Sequence, residues 1–299
     1  MNTNIEISPT GSLLVFKHGY SADFVRTTLQ DNNLHGLYIF AQLPSEKLES
    51  LSFLNEFGFL KSLSISTIND QDWSFLFNLT NLRELSISTT GQNQIDLSKQ
   101  QKLTSLSLQW RKGKIFNLDN CQAIKSLCLI DFNEDDFYPI EKLTTLEELT
   151  IKTSGVKSLN GLQKSSRLKK LQVGNCKKLS KLVDFQSLTQ LESLSFESCP
   201  KVESFTELAN LPSLKKLEFI DCKNVNTITF INNLHSLEQL NLLGNTTILD
   251  GDLEPAVKIP SVLYTHRKHY NVKISNPGND LLIKKNRQKI RDAFKGSNL

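Results

Sequence analysis

The sequence has little of what a membrane or secreted protein needs. No run comes near the ~18 consecutive apolar residues of a membrane-spanning helix. The opening residues, MNTNIEISPTGS, contain neither the basic start nor the apolar stretch of a secretory signal. Cysteines number only five, an odd count, and no CxxC pair exists. Both facts fit a reducing cytoplasm better than disulfide-stapled secretion, and they leave no zinc-binding pattern. Phosphate-binding glycine loops, a nucleophile elbow and HExxH are also missing. No catalytic residue, cofactor, metal or small-molecule substrate is therefore expected. Excess charge is scarce too. The chain is +4 overall, but residues 281–299 hold six Lys or Arg and one Asp, a net of +5, which leaves −1 for the rest. A near-neutral body argues against nucleic-acid binding.

What is present is a repeat. From Leu168 the chain reads LKKLQVGNC, LESLSFESC, LKKLEFIDC and LEQLNLLGN, in frames that start at Leu168, Leu191, Leu214 and Leu237, 23 residues apart. Positions 1, 4 and 6 of each frame are apolar, and position 9 is Cys or Asn. Earlier frames start at Leu34, Leu60, Leu82, Leu103, Ile124 and Leu146, which makes ten. Alternation through positions 4 to 6 marks a strand whose positions 3, 5 and 7 face solvent. One such strand cannot bury its leucines alone, whereas stacking at about 4.8 Å builds a continuous core. The expected fold class is an α/β solenoid: a horseshoe with a parallel inner sheet of ten or eleven strands and a mostly 3-10 or extended convex side. SFLFNLTN and VDFQSLTQ are expected to form one helical turn each.

Position 9 lies where the chain turns out of the strand. Asn there can bond neighbouring backbone groups, and Cys is a small, weakly donating filler. Cys176, Cys199 and Cys222 fall in this slot and are expected to be buried and reduced. The slot is irregular earlier (Ile68, Thr90, Arg111, Phe132, Ser154), so the early coils should be filled differently.

Four regions follow. Residues 1–33 read as an N-terminal cap, with two short strands and a helix that Ser21 can N-cap. Residues 34–245 are the solenoid of ten repeats. Residues 246–275 read as a degenerate last repeat and C-terminal cap, polar where leucine is expected. Residues 276–299 read as a linker and a basic tail helix, the bland reading being a solvated terminus.

The ten LxxLxL frames resemble the leucine-rich repeat superfamily over roughly residues 34–270. The NC, SC and DC endings are similar to the cysteine-bearing repeats of plant resistance receptors. The frames at Leu82, Leu146 and Leu168 are more similar to the 22-residue type of bacterial internalins and a phosphatase regulator. The nucleotide-binding module of the former and the secretion signal of the latter are missing. The resemblance implies a bacterial cytoplasmic repeat protein that binds another protein without catalysis. Some relatives neutralise toxins as immunity proteins, so a toxin is the most specific partner expected.

The strand faces suggest where a partner docks. Positions 2 and 3 of the later frames alternate in sign (Glu147-Glu148, Lys169-Lys170, Glu192-Ser193, Lys215-Lys216, Glu238-Gln239). Such charges pair across neighbouring strands, each pair worth about 0.2–1 kcal/mol. The earlier frames instead present Ser62, Ser64, Ser66, Ser86, Ser88, Ser105, Ser107, Gln109 and Ser126, followed by Trp110 and Ile130. A serine platform beside an exposed Trp has the composition of a paratope. Trp110 at position 8, with Arg111 after it, is expected to anchor the partner and to form one apolar patch with Ile130. Asp131, Asp135, Asp136 and Tyr138 on the adjoining loop would supply an acidic rim. The competing reading folds Trp110 over Phe132.

The alternative function is an enzyme, a hydrolase or nuclease, using the segment from Asp250 to Tyr270. Asp250, Asp252, His266, His269 and Tyr270 carry the right groups. The bland reading is a cap whose aspartates make turns and whose histidines cover the core.

Overall fold

The computed structural model describes residues 5–8, 11–16, 20–42, 48 and 50–274. The expected tail helix lies outside these residues. Among the described residues one sheet of 13 strands runs in chain order, and two short two-stranded parallel sheets lie in the connecting coils, Ile95–Asp96 with Ile115–Phe116 and Asn224–Val225 with Thr247–Ile248. The cap contributes β1 (Ile5–Ser8) and β2 (Gly11–Phe16). The first five frames give β3 (Gly36–Ala41), β4 (Ser62–Thr67), β5 (Glu84–Thr89), β6 (Ser105–Gln109) and β7 (Ser126–Ile130). The next five give β8 (Glu148–Lys152), β9 (Lys170–Gly174), β10 (Ser193–Glu197), β11 (Lys216–Ile220) and β12 (Gln239–Leu243). The degenerate last repeat adds β13 (Ser261–Tyr264).

β1 runs antiparallel to β2, and all later neighbours are parallel. The parallel sheet has twelve strands, β2 to β13, where ten or eleven were expected: two more than the ten frames, one from the last repeat and one from the cap. β2 joins it because Leu14 falls opposite Leu37, in register with position 4 of the repeats. That column then runs through Leu63, Leu85, Leu106, Leu127, Leu149, Leu171, Leu194, Leu217 and Leu240, none more than 2% exposed. Each such burial is worth about 1.5–3 kcal/mol, which is why register is set by this column and not by the polar face.

α1 (Ala22–Asp31) closes the first coil. Ser21 caps it, its Oγ accepting from Phe24 N at 3.1 Å. Val25 and Leu29 are buried in the core that the first repeat would otherwise expose. The convex side carries 3-10 turns such as Ser52–Glu56, Ser74–Asn78 and Thr229–Asn233. SFLFNLTN forms its turn at Ser74–Asn78, but VDFQSLTQ does not become helical. The chain just before it is held extended by a parallel bridge between Ser158 and Lys181, and only Leu188 N closes back on Phe185 O at 2.8 Å.

The coil leaves the strand in two ways, and position 8 decides which. In β3 to β6 the alternation continues, so Ala41, Thr67, Thr89 and Trp110 all point inward. From Asp131 onward position 8 is left-handed: Asp131, Thr153, Asn175, Ser198 and Asp221 have φ between 53° and 56°, and Gly244 has φ 68°. That reversal turns position 9 into the core, where Phe132, Ser154, Cys176, Cys199 and Cys222 are buried.

The buried slot forms a ladder of bonds to backbone carbonyls. Cys199 Sγ lies 3.5 Å from Val173 O, and Cys222 Sγ lies 3.3 Å from Phe196 O. The next rung is not Asn245, which is exposed and accepts from Lys223 N. Thr246 takes the slot: its Oγ1 donates to Phe219 O at 3.1 Å and accepts from Cys222 N. Burial pushes the Cys222 thiol up to about 12 and, with Asp119 nearby, does the same to Cys121, so both stay protonated.

Candidate protein-binding face

Because strand neighbours are in register, residues of equal frame position form rows across the concave face. The position-5 row runs Ser64, Ser86, Ser107, Cys128, Thr150, Gln172 and Ser195 before reaching Glu218. Position 3 gives Ser62, Glu84, Ser105 and Ser126, and position 7 gives Ser66, Ser88, Gln109 and Ile130. From β4 to β7 the face is therefore small, hydroxylic and half-buried. Its one carboxylate there, Glu84, accepts from Ser62 Oγ at 3.1 Å. Short side chains leave the surface flat, with little side-chain entropy for a partner to freeze.

The charged half is different. Glu147 lies between Lys125 (3.1 Å) and Lys169 (2.8 Å), and Glu192 meets Lys215 at 3.2 Å. Lys169 and Lys125 hold the Glu147 carboxyl below the usual range. Lys216 pairs with Glu218 on its own strand at 3.0 Å. Glu197 has no such cation. Burial and the neighbouring Asp221 and Glu218 push its carboxyl up, against a smaller pull from Lys152.

Trp110 is not the exposed anchor that its position suggested. It is 8% exposed, packs edge-on against Phe132 with centroids 4.9 Å apart, and donates from Nε1 to Glu134 Oε1 at 3.1 Å. Position 8 still obeys the strand alternation in this coil, so Trp110 faces the core while Ile130, at position 7, faces the partner side. The two lie on opposite faces and form no shared patch. Arg111 folds back to Thr89 O at 3.1 Å.

Of the remaining candidates, Gln109, Asp131 and Ile130 come together where β6 and β7 end, whereas Tyr138 starts a 3-10 turn of the convex side and does not join them. Gln109 Nε2 donates to Asp131 Oδ2 at 2.9 Å, fixing both beside half-buried Ile130. Asp135 is paired with Lys157 at 2.9 Å, which holds its carboxyl below the ordinary range. Tyr138 is 55% exposed at the start of a 3-10 turn, its N–H bonded to Asp136 Oδ1 at 3.2 Å. The acidic rim is thus partly neutralised by Lys157, and also by Lys112, which pairs with Glu134 at 2.9 Å.

In the Asp250–Tyr270 segment the polar groups serve the cap. Asp250 and Asp252 accept from backbone N–H groups two residues on, His269 Nε2 bonds Ile248 O at 2.8 Å, and Tyr270 OH accepts from Ile248 N. They wrap the last coil and do not converge on a common point. Among the described residues no group of three or more His, Cys, Asp or Glu is placed to hold a metal, and no helix is long and apolar enough to cross a membrane.

Comparison with known proteins agrees with this architecture. A family model described as R13L1/DRL21 LRRs matches residues 71–222, half of the chain. The chain belongs to this leucine-rich repeat family. A search of curated proteins finds no match. Among solved structures, the leucine-rich repeat chain is similar to an internalin (inlF) from Listeria monocytogenes: TM-score 0.61, 19% identity, 85% of this chain and 80% of that one. It is also similar to the functional domain of InlJ from the same organism, described as including a cysteine ladder (TM-score 0.58, 17% identity, 78% and 50% covered). A third likeness is TLR13 in complex with ssRNA13 (0.57, 18%, 85% and 45%). The chain spans about half the length of these last two. At such identities the likeness concerns the fold, and a leucine-rich repeat scaffold fits a protein-binding role.

Proposed function

We propose that this chain is a non-enzymatic scaffold that docks a partner protein on the concave face over β4 to β7, with neutralisation of a toxin in the cytoplasm as the most specific form of that role. The observation that carries the reading is the serine platform, three position rows of short hydroxylic side chains with little charge of their own to satisfy. Ile130 supplies apolar area at its rim, and Gln109 and Asp131 supply fixed polar contacts.

The test is capture of the native partner, or rescue of growth when the product of a neighbouring toxin gene is co-expressed. Ser86→Trp with Ser107→Trp places two large rings on the platform. Loss of capture by more than about tenfold, with an unchanged melting temperature, supports the face. Unchanged capture removes it. Cys128, half-buried in the same row, is an independent reporter. A thiol reagent should label it ahead of the four buried cysteines, and bound partner should protect it. The enzyme reading requires that His266→Ala with His269→Ala abolish function, whereas a scaffold keeps it.

A further inference from the structure

Position 2 of the frames forms a row along the lower edge of the sheet. Towards the C-terminus this row is self-neutralising, through Lys125, Glu147 and Lys169 and through Glu192 and Lys215. Its N-terminal end reads His35, Lys61 and Arg83, one per rung, each immediately before β3, β4 or β5. Lys61 and Arg83 are exposed, and neither the ammonium nor the guanidinium makes an ion pair or hydrogen bond to another described residue. They line a recess of about 410 Å³. Gly36, at position 3 of the first frame, and Leu13 lie at its base, and a Cβ at Gly36 would clash with Leu13 Cδ2. Asn32 and Asn33, after the end of α1, and Glu84 complete the walls.

We infer that this recess receives carboxylates from an acidic segment of the partner protein, below the serine platform. The inference rests on the platform being a protein-binding face. Rungs repeat at about 4.8 Å, so the cations can address carboxylates on successive turns or alternate residues of a docked segment. Two unpaired cations against one resident carboxylate, on a body of net charge −1, suit a few carboxylates. A phosphate backbone requires a longer cationic stripe.

The test uses fluorescence anisotropy on the intact chain at low salt. The probes are a labelled peptide of about ten residues alternating Glu and Gly, its Gln counterpart, and an oligonucleotide of similar length. The Glu peptide should bind and the Gln peptide should not. Lys61→Glu with Arg83→Glu should weaken the Glu peptide by about tenfold or more, as the reversal of two exposed pairs implies. Lys164→Glu, a charge change on another coil, should leave it unchanged. Salt near 0.3 M should erase the binding as the Debye length falls below ~8 Å. Absence of Glu-peptide binding, insensitivity to the double reversal, or tighter binding of the oligonucleotide would each overturn the assignment. This assay needs no native partner, so its failure is separable from failure of the platform variants to alter capture.

Discussion

The two halves of the inner sheet solve the same packing problem differently. From β3 to β6 the strands hold positions 4, 6 and 8 in the core, and over β4 to β6 the concave face is mostly hydroxylic. From β7 onward a left-handed residue at position 8 hands the last core slot to position 9, and from β8 the face gains charge, with the position-2 row along its edge paired between rungs. One backbone dihedral per repeat therefore changes which side chain is buried. A partner docking on the charged half has to desolvate more ionised groups than one docking on the hydroxylic half.

Trp110 gives the sharpest way to break this comparison. If position 8 is core before the switch, Trp110→Ala should cost about 3–5 kcal/mol and lower the melting temperature by many degrees. Partner affinity, measured on the folded fraction, should change little. A stable variant with lost affinity would restore Trp110 as an anchor. On the other side of the switch, Gly244→Ala places a Cβ at φ 68°, against Asp221 Oδ1 at 2.1 Å. Moving Asp221 aside breaks the bond its Oδ1 accepts from Asn245 N at 2.9 Å, so the expected cost is the left-handed penalty plus that bond, about 2–3 kcal/mol by denaturant titration. A neutral result would mean that the turn tolerates another conformation.

Thr153 tests the same rule with opposite sign. It is β-branched and exposed at φ 56°, a conformation that Asn tolerates better. Thr153→Asn should raise stability by about 0.5–1 kcal/mol, and a loss would show that the hydroxyl is needed. The smallest effect concerns Glu197. Its carboxyl is pushed up in the fold, so protonation favours the native state: that contribution is present below the unfolded value and lost as pH rises through the raised one. Glu197→Gln should lift the melting temperature at pH 7 by about 1 °C, with the difference vanishing in acid. A pH-independent difference would place the cause outside the carboxylate cluster.

Much of the fold was legible because the strongest term in it is periodic. LxxLxL places two apolar side chains on one face every 21 to 26 residues, and burying them leaves few alternatives to a stacked parallel sheet. The paired Glu147 and Lys169, and the buried cysteines, followed from the same register. The site was less legible. Asp131, Asn175, Asp221 and Gly244 are residues that enter the left-handed region readily, and their first appearance at position 8 after Trp110 was the available signal that Trp110 itself continues the strand. Thr153 and Ser198 blur that signal.

The sequence by itself determined the repeat, its register, the inward leucine column and the outward serines, because side-chain alternation at period two needs no long-range information. Only the tertiary structure decided that Thr246 and not Asn245 closes the last rung, that β2 extends the sheet, that Trp110 covers Phe132, and that Lys61 and Arg83 border a recess. These depend on φ at single residues and on which rungs stand beside one another. Both are fixed by packing between coils that lie more than 20 residues apart in the chain.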